Sequence, residues 1–100
     1  DRRNAAILLE AGVEVAINTD APEVPIDLLA AEAAITVAAG VPEEKAVALL
    51  TGNPAKICGI GGRVGRLAPG LDGDLLLFDR DPIGLLVKPI HVFVNGEQIR

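Results

Sequence analysis

Aromatic side chains are almost missing from this sequence: it has no Trp, no Tyr and only two Phe, Phe78 and Phe93, in 100 residues. Platforms on which bases stack need such rings. Basic residues are also the minority, nine Lys and Arg against 14 Asp and Glu, and a net charge of −5 repels phosphate backbones. Nucleic-acid binding is therefore set aside. A single cysteine, Cys58, excludes an internal disulfide and points to a reduced, cytoplasmic setting. With no His or second Cys near it in sequence, Cys58 reads as a buried structural thiol. No apolar run approaches the ~20 residues that span a bilayer. The stretch from Ala33 to Val41 is short and closed by Gly40 and Pro42, so no membrane partner is expected. Met is absent too, which leaves no initiator in view, and residues 1–10 already read as the inside of a helix. The chain is expected to be a piece of a longer one.

Half of the residues are apolar, and nearly all of these are Ala, Leu, Val and Ile. Such residues pack in aliphatic layers, as sheets covered by helices do. Ala5, Ala6, Leu8 and Leu9 suggest a short helix over 4–11, stopped by Gly12 at the left-handed C′ position. Val13 to Ile17 follows with apolar residues at alternate places, the pattern of a short buried strand. Helix, glycine and strand in so few residues make an αβ unit of a parallel sheet. The unit ends at Asn18-Thr19-Asp20-Ala21-Pro22, and Pro22 and Pro25 hold a loop open. Asp27 to Ala39, dominated by Ala, Leu and Glu, predicts a helix stopped by Gly40. Glu43 to Leu50 predicts a second, with Pro42 at its start and two acids where the helix dipole favours them. Asn53-Pro54 reads as an N-cap with Pro at the first helical position, opening a third helix through Ile57.

From Gly59 the composition changes, and glycines at 59, 61, 62, 65, 70 and 73 punctuate short pieces. Leu75 to Phe78 predicts a buried strand and Ile90 to Val94 another, and Asn95-Gly96 predicts a two-residue hairpin turn before Glu97-Gln98-Ile99. The chain is expected to divide into residues 1–58, helix and parallel strand, and residues 59–100, small antiparallel β.

Three motifs stand in order along the second half: Thr51-x-Asn53-Pro54-Ala55, Gly65-x-Leu67-x-x-Gly70-x-x-x-Asp74-Leu75, and the closing Val92-Phe93-Val94-Asn95-Gly96. Together they resemble the C-terminal segment of the amidohydrolase superfamily, in particular its imidazolonepropionase-like branch. The resemblance covers almost the whole chain. It implies an α/β fold: the last βα unit of a (β/α)8 metal-dependent hydrolase barrel, plus the C-terminal part of a small β-sandwich, incomplete as a standalone barrel. Residues 1–58 would be the final barrel strand, Val13 to Asn18, with its helices, and residues 59–100 the sandwich portion. The family places an Asp at the end of that strand, beside one or two metal ions, usually zinc, where it takes the proton of the attacking water. Asp20 falls at that position, so the resemblance makes it both the catalytic base and a metal-site residue. It further implies zinc or another divalent metal in the parent enzyme, with none expected to bind tightly to this chain alone. Two positions depart from the pattern. Ala21 stands where many relatives of the branch have His, which bears on substrate recognition. Gly73 stands where the tail motif usually has Ala, a change expected only to loosen a turn.

The residues themselves carry part of this. The C-terminal end of a barrel strand is where such folds keep catalytic groups, and a carboxylate near a metal-bound water can relay its proton. An Asp just before a Pro-containing turn is also a common turn residue. Zinc centres of this kind draw on several His, yet the one His, His91, falls in a late strand and reads as structural or surface. Gly59-Ile60-Gly61-Gly62 lacks the preceding strand and the Lys-Ser/Thr of a phosphate loop. Asp72, Asp74, Asp79 and Asp81 lack calcium-loop spacing and read as turn and strand-edge residues. Arg2, Arg3, Arg63 and Arg66 read as solvated surface.

Two functions follow. In the first, the chain is the C-terminal part of a metal-dependent amidohydrolase that cleaves a C–N bond in a cyclic amide or small peptide-like substrate, inactive alone. Its partners are then the N-terminal part of the parent and a small-molecule substrate. In the alternative, it is a non-catalytic structural or interaction module that self-associates or complements a partner chain. Self-association of the isolated chain is expected in either case, because a lone barrel strand leaves two edges unpaired.

Overall fold

A computed structural model describes residues 1–100. The first half is helical. Helix α1 spans Asn4–Glu10, α2 Leu29–Ala38, α3 Ala46–Leu50 and α4 Gly52–Ile57. The second half holds one antiparallel sheet of β1 Leu75–Leu77, β2 His91–Val94 and β3 Glu97–Gln98. The molecule is thus mixed α/β. None of its helices is long and apolar enough to cross a membrane.

Helices α1, α2 and α4 end in the same way. After α2, the Gly40 N–H donates to the Val37 carbonyl at 3.1 Å and the Val41 N–H to the Thr36 carbonyl at 3.1 Å. These paired bonds satisfy the last carbonyls of the helix and need a left-handed residue at C′, which glycine supplies (φ 118° at Gly40, 85° at Gly12, 77° at Gly59). Val41, the residue after the glycine at the end of α2, is buried. The helices predicted over 27–39 and 43–50 begin one turn tighter than expected. Ile26–Leu28 and Glu43–Lys45 are 3₁₀ turns, each entered from a proline, Pro25 and Pro42, held near φ −55°.

The core is small and lies where α2, α3 and α4 meet. Its members are Ala31, Ala33, Val41, Ala46, Leu49 and Ala55. Four of the six are alanine, so the helices approach closely, and Leu49 at 0% exposure is the one large side chain fully enclosed. Only seven residues of 100 are buried, while Ile26, Leu67, Leu85 and Leu86 are exposed by 71% or more, so much apolar surface faces outward.

In the sheet, Leu75 pairs with Phe93, Leu76 with Val92 and Leu77 with His91, while Phe93 pairs with Gln98 and Val94 with Glu97. Asn95 (φ 52°) and Gly96 (φ 77°) form the turn, both left-handed as a type I′ hairpin requires. Residues 73 and 74 latch this turn to the head of β1. The Gly96 N–H donates to the Gly73 carbonyl at 2.9 Å and the Asn95 N–H to Asp74 Oδ1 at 2.8 Å. Gly73 is therefore more than a loosened turn. A Cβ at this position would lie 2.7 Å from Gly96 N and 2.9 Å from its Cα, so an alanine collides with backbone.

Four further expectations are corrected. Val13 to Ile17 forms no strand, since no second strand lies beside it to complete a ladder. Asn53 is not an N-cap: α4 starts at Gly52 with Thr51 at the cap, and no side chain caps it. Thr51 Oγ1 is turned back to the Val47 carbonyl at 2.8 Å. Cys58 is exposed, because the small core reaches Ala55 but not the end of α4. The strand expected to be buried at 75–78 is instead at the sheet edge with Leu76 and Leu77 exposed. Arg63 is exposed, as expected of it, and pairs with Asp72 at 2.9 Å, while its carbonyl accepts the Asp72 N–H at 2.8 Å.

Candidate functional site

Asp20 closes the segment that leads away from α1. The segment is held from one side, by the unit α3–α4. The Ile17 N–H donates to the Leu49 carbonyl at 3.1 Å. Asn53 Nδ2 donates to the Val15 carbonyl at 2.9 Å. Residues two apart thus direct backbone groups at the same neighbour, as alternate residues of an extended chain do. Glu14 pairs with Lys56 of α4. The Glu14 carboxylate holds the Lys56 ammonium above the ordinary lysine range, chiefly through the hydrogen bond and then through its charge. Both side chains are largely in solvent, so the pair is screened and adds little to stability.

Beyond Ile17 the chain turns sharply. Asn18 Oδ1 accepts the Asp20 N–H at 3.1 Å, and the Asp20 carbonyl accepts the Glu23 N–H at 2.9 Å. Asp20 itself sits at φ 52°, a left-handed conformation that Asp tolerates better than most residues because its short polar side chain can bond locally. Its residue is exposed, and its carboxylate makes neither a hydrogen bond nor an ion pair within the chain. It is therefore an unengaged acceptor, free to take a proton or to bind a ligand. Ala21 beside it offers no polar group.

The other titratable residues do not gather around it. No group of three His, Cys, Asp or Glu side chains is placed to hold a metal ion. The donors present in these 100 residues therefore do not fit a catalytic metal, for which one carboxylate is too few. His91 lies in β2, with Nδ1 3.1 Å from Gln98 Nε2 and 3.2 Å from the Arg100 carbonyl. The amide donates to a bare nitrogen and the carbonyl accepts from a protonated one, so one tautomer makes only one of these bonds.

A shallow depression of 390 Å³ lies between α4 and the glycine-rich connector, lined by Gly52, Lys56, Gly61, Gly62, Gly65 and Arg66 among others. Its cations are engaged: Lys56 pairs with Glu14, and Arg66 Nη1 donates to the Gly61 carbonyl at 3.2 Å. The turn at 59–62 closes α4, the Ile60 N–H reaching the Ala55 carbonyl at 2.9 Å, so it caps a helix from behind and does not cradle a phosphate.

The contribution of Asn53 was not legible in the sequence. Its partner lies 38 residues upstream, and no local pattern links the two.

The sequence pattern of the amidohydrolase family matches residues 1–99. The crystal structure of an amidohydrolase from Thermotoga maritima MSB8 superposes with a TM-score of 0.93 at 32% identity, over 99% of this chain and 26% of that one. Amidohydrolase tasK of Hapsidospora irregularis is 31% identical over 90 residues, which are 90% of this chain and 9% of that protein. The chain thus spans about a quarter of the solved relative and under a tenth of the curated one.

Proposed function

The chain belongs to the amidohydrolase family, and from that premise we propose that it is the C-terminal part of a metal-dependent hydrolase that cleaves a C–N bond in a cyclic amide or small peptide-like substrate. The supporting observation is Asp20: a carboxylate without a partner, at the end of a segment pinned to two helices, in a chain that aligns over its whole length with a quarter of an amidohydrolase. The motifs Thr51-x-Asn53-Pro54-Ala55 and Gly65 to Leu75 favour the imidazolonepropionase-like branch within the family. In this reading residues 13–18 are the last strand of a (β/α)8 barrel, residues 1–58 belong to the barrel, and residues 59–100 complete a β-sandwich. Barrel enzymes carry their chemistry at the strand end that leads into Asp20.

The reaction proposed for Asp20 is proton transfer. Its carboxylate accepts a proton from water as the water oxygen bonds to the substrate carbonyl carbon. The resulting carboxylic acid then returns the proton to the departing nitrogen as the C–N bond breaks. Water is consumed, and a carboxylic acid and an amine are formed; the acid's proton then passes to the amine, leaving a carboxylate and an ammonium group. A divalent metal lowers the pKa of a water it binds, but this chain brings Asp20 alone to such a centre. The proposal takes the remaining ligands, zinc's usual histidines among them, from the rest of the hydrolase. On its own the 100-residue chain is inactive. Ala21 places no imidazole next to the base, which directs recognition of the substrate to other loops.

A second reading is favoured by the outward apolar surface. Leu67, Leu85 and Leu86 are uncovered, and β1 at the sheet edge carries the exposed Leu76 and Leu77. A non-catalytic module that self-associates or complements a partner chain would use such surface. The upstream reading frame separates the two. An in-frame His-x-His after a predicted strand supports the hydrolase; a start codon directly before Asp1 supports the module.

A further inference from the structure

The motif Thr51-x-Asn53-Pro54-Ala55 is left without a role by the chemistry above. We propose that Asn53 is a positioning residue for Asp20, its side-chain amide fixing the segment that carries the carboxylate by holding the Val15 carbonyl. The inference rests on the reading of Asp20 as the proton acceptor.

The bond from Asn53 to Val15 spans 38 residues, a longer reach in sequence than any other side-chain-to-backbone hydrogen bond of the molecule, and it is partly shielded from water. Its direction is fixed by chemistry: a backbone carbonyl only accepts, so the amide nitrogen must face it. The segment it holds is half-buried at residues 15–17 and buried at Thr19, but few polar bonds tie it to the helices. No strand pairs with residues 13–19, and their one backbone bond to a distant element is Ile17 to Leu49. The third tether, Glu14 to Lys56, is in solvent. Asn53 itself is well anchored. It lies in α4, directly before Pro54 and two residues before the buried Ala55, and α4 packs on α3. The amide thus carries the order of the α3–α4 core to a segment that ends, five residues after Val15, in Asp20. Reacting groups tolerate little displacement, and a shift of about 1 Å costs roughly 10²-fold in rate.

The test uses the full-length hydrolase containing this segment, purified with its metal. Asn53→Asp keeps the shape but presents an acceptor to the Val15 carbonyl; Asn53→Ala removes the group and guards against misfolding caused by the new charge. Amide hydrogen exchange is read over residues 13–23 and over the remaining peptides. Then kcat and KM are read with an amino-acid p-nitroanilide as the probe, beside Asp20→Asn. Both Asn53 variants are expected to exchange faster over 13–23 with the other peptides unchanged. They should lose roughly 10²-fold in kcat with KM within about twofold. Unchanged exchange over 13–23, or faster exchange with wild-type kcat, overturns the positioning role. Wild-type turnover by Asp20→Asn overturns the reading of Asp20 instead, and the inference with it, whatever the exchange data show.

Discussion

Gly65→Ala is the substitution for which the structure predicts the largest single defect. Two separate costs meet there. Gly65 lies at φ 102°, outside the small left-handed well that non-glycine residues reach, and holding alanine in such a conformation costs about 1–3 kcal/mol. The added Cβ would also lie 2.7 Å from the Ala55 Cβ and 3.1 Å from the Thr51 carbonyl oxygen. Neither atom belongs to a flexible side chain, and Ala55 is part of the buried core, so α4 or the connector must move. Overpacking of this kind costs about 1–3 kcal/mol. Together the loss is about 2–6 kcal/mol, a large share of the ~5–15 kcal/mol that separates most folded domains from their unfolded chains. Urea unfolding of the full-length protein, followed by circular dichroism, reads this as a lower midpoint. Gly62→Ala is the control, since nothing lies within 4 Å of a Cβ there. Adding Ala55→Gly removes the 2.7 Å contact but not the backbone strain, so the double variant should recover part of the loss and no more. A Gly65→Ala protein within about 0.5 kcal/mol of wild type, the range of ordinary surface changes, would refute the packing described for this junction.

Four further outcomes follow from the same structure. Gly73→Ala should weaken the latch between β1 and the hairpin turn by about 1–3 kcal/mol; a neutral or stabilising result in urea would mean that the turn sits farther from residue 73 than 2.7 Å. The isolated 100-residue chain should self-associate through its exposed leucines and open sheet edge, and light scattering showing a strict monomer at high micromolar concentration would contradict that. The pair between Glu14 and Lys56 joins distant parts of the chain and is lost on unfolding. Its contribution, a small one, is therefore present below the ordinary lysine pKa of about 10.4 and lost as pH rises through the higher folded value. Unfolding curves from pH 7 to 12 should show wild type converging on Lys56→Met only at the alkaline end; a constant gap would refute the assignment. Arg80 likewise holds the Asp79 carboxyl below the usual range, but these neighbours in sequence keep their contact in the unfolded chain, so acid stability should not depend on them.

What could be read from the sequence was what local chemistry decides. Gly12 and Gly40 marked helix ends because only a left-handed residue closes those paired carbonyl bonds, and Asn95-Gly96 marked the hairpin because a type I′ turn needs two such residues. The alanine-rich helix was legible for the same reason. Features that depend on distant neighbours were not. Val13 to Ile17 alternates like a strand, but a strand exists only with a partner, and here the segment leans on helices. The first turns after Pro25 and Pro42 tightened into 3₁₀ geometry, which composition does not distinguish from α. The close approach of Gly73 to Gly96 joins residues 23 apart, and the tail motif, which admits Ala there, does not show it. For the site, Asp20 is an expectation drawn from the family resemblance, while its left-handed backbone, its bond to Asn18 and the hold of Asn53 on Val15 are long-range or conformational facts that no spacing encodes.

The central claim is that the Asp20 carboxylate moves the proton in C–N bond hydrolysis, and Asp20→Asn in the full-length hydrolase tests it most directly. Asn keeps the size and suits the left-handed turn at φ 52° as well as Asp does, so the fold should be unchanged. It cannot accept a proton near neutral pH. With kcat, metal content and thermal midpoint measured together, the account predicts a kcat lower by about 10²–10⁴-fold or more with an unaltered midpoint. A kcat near wild type, with normal metal content, would contradict it and leave Asp20 as a turn residue.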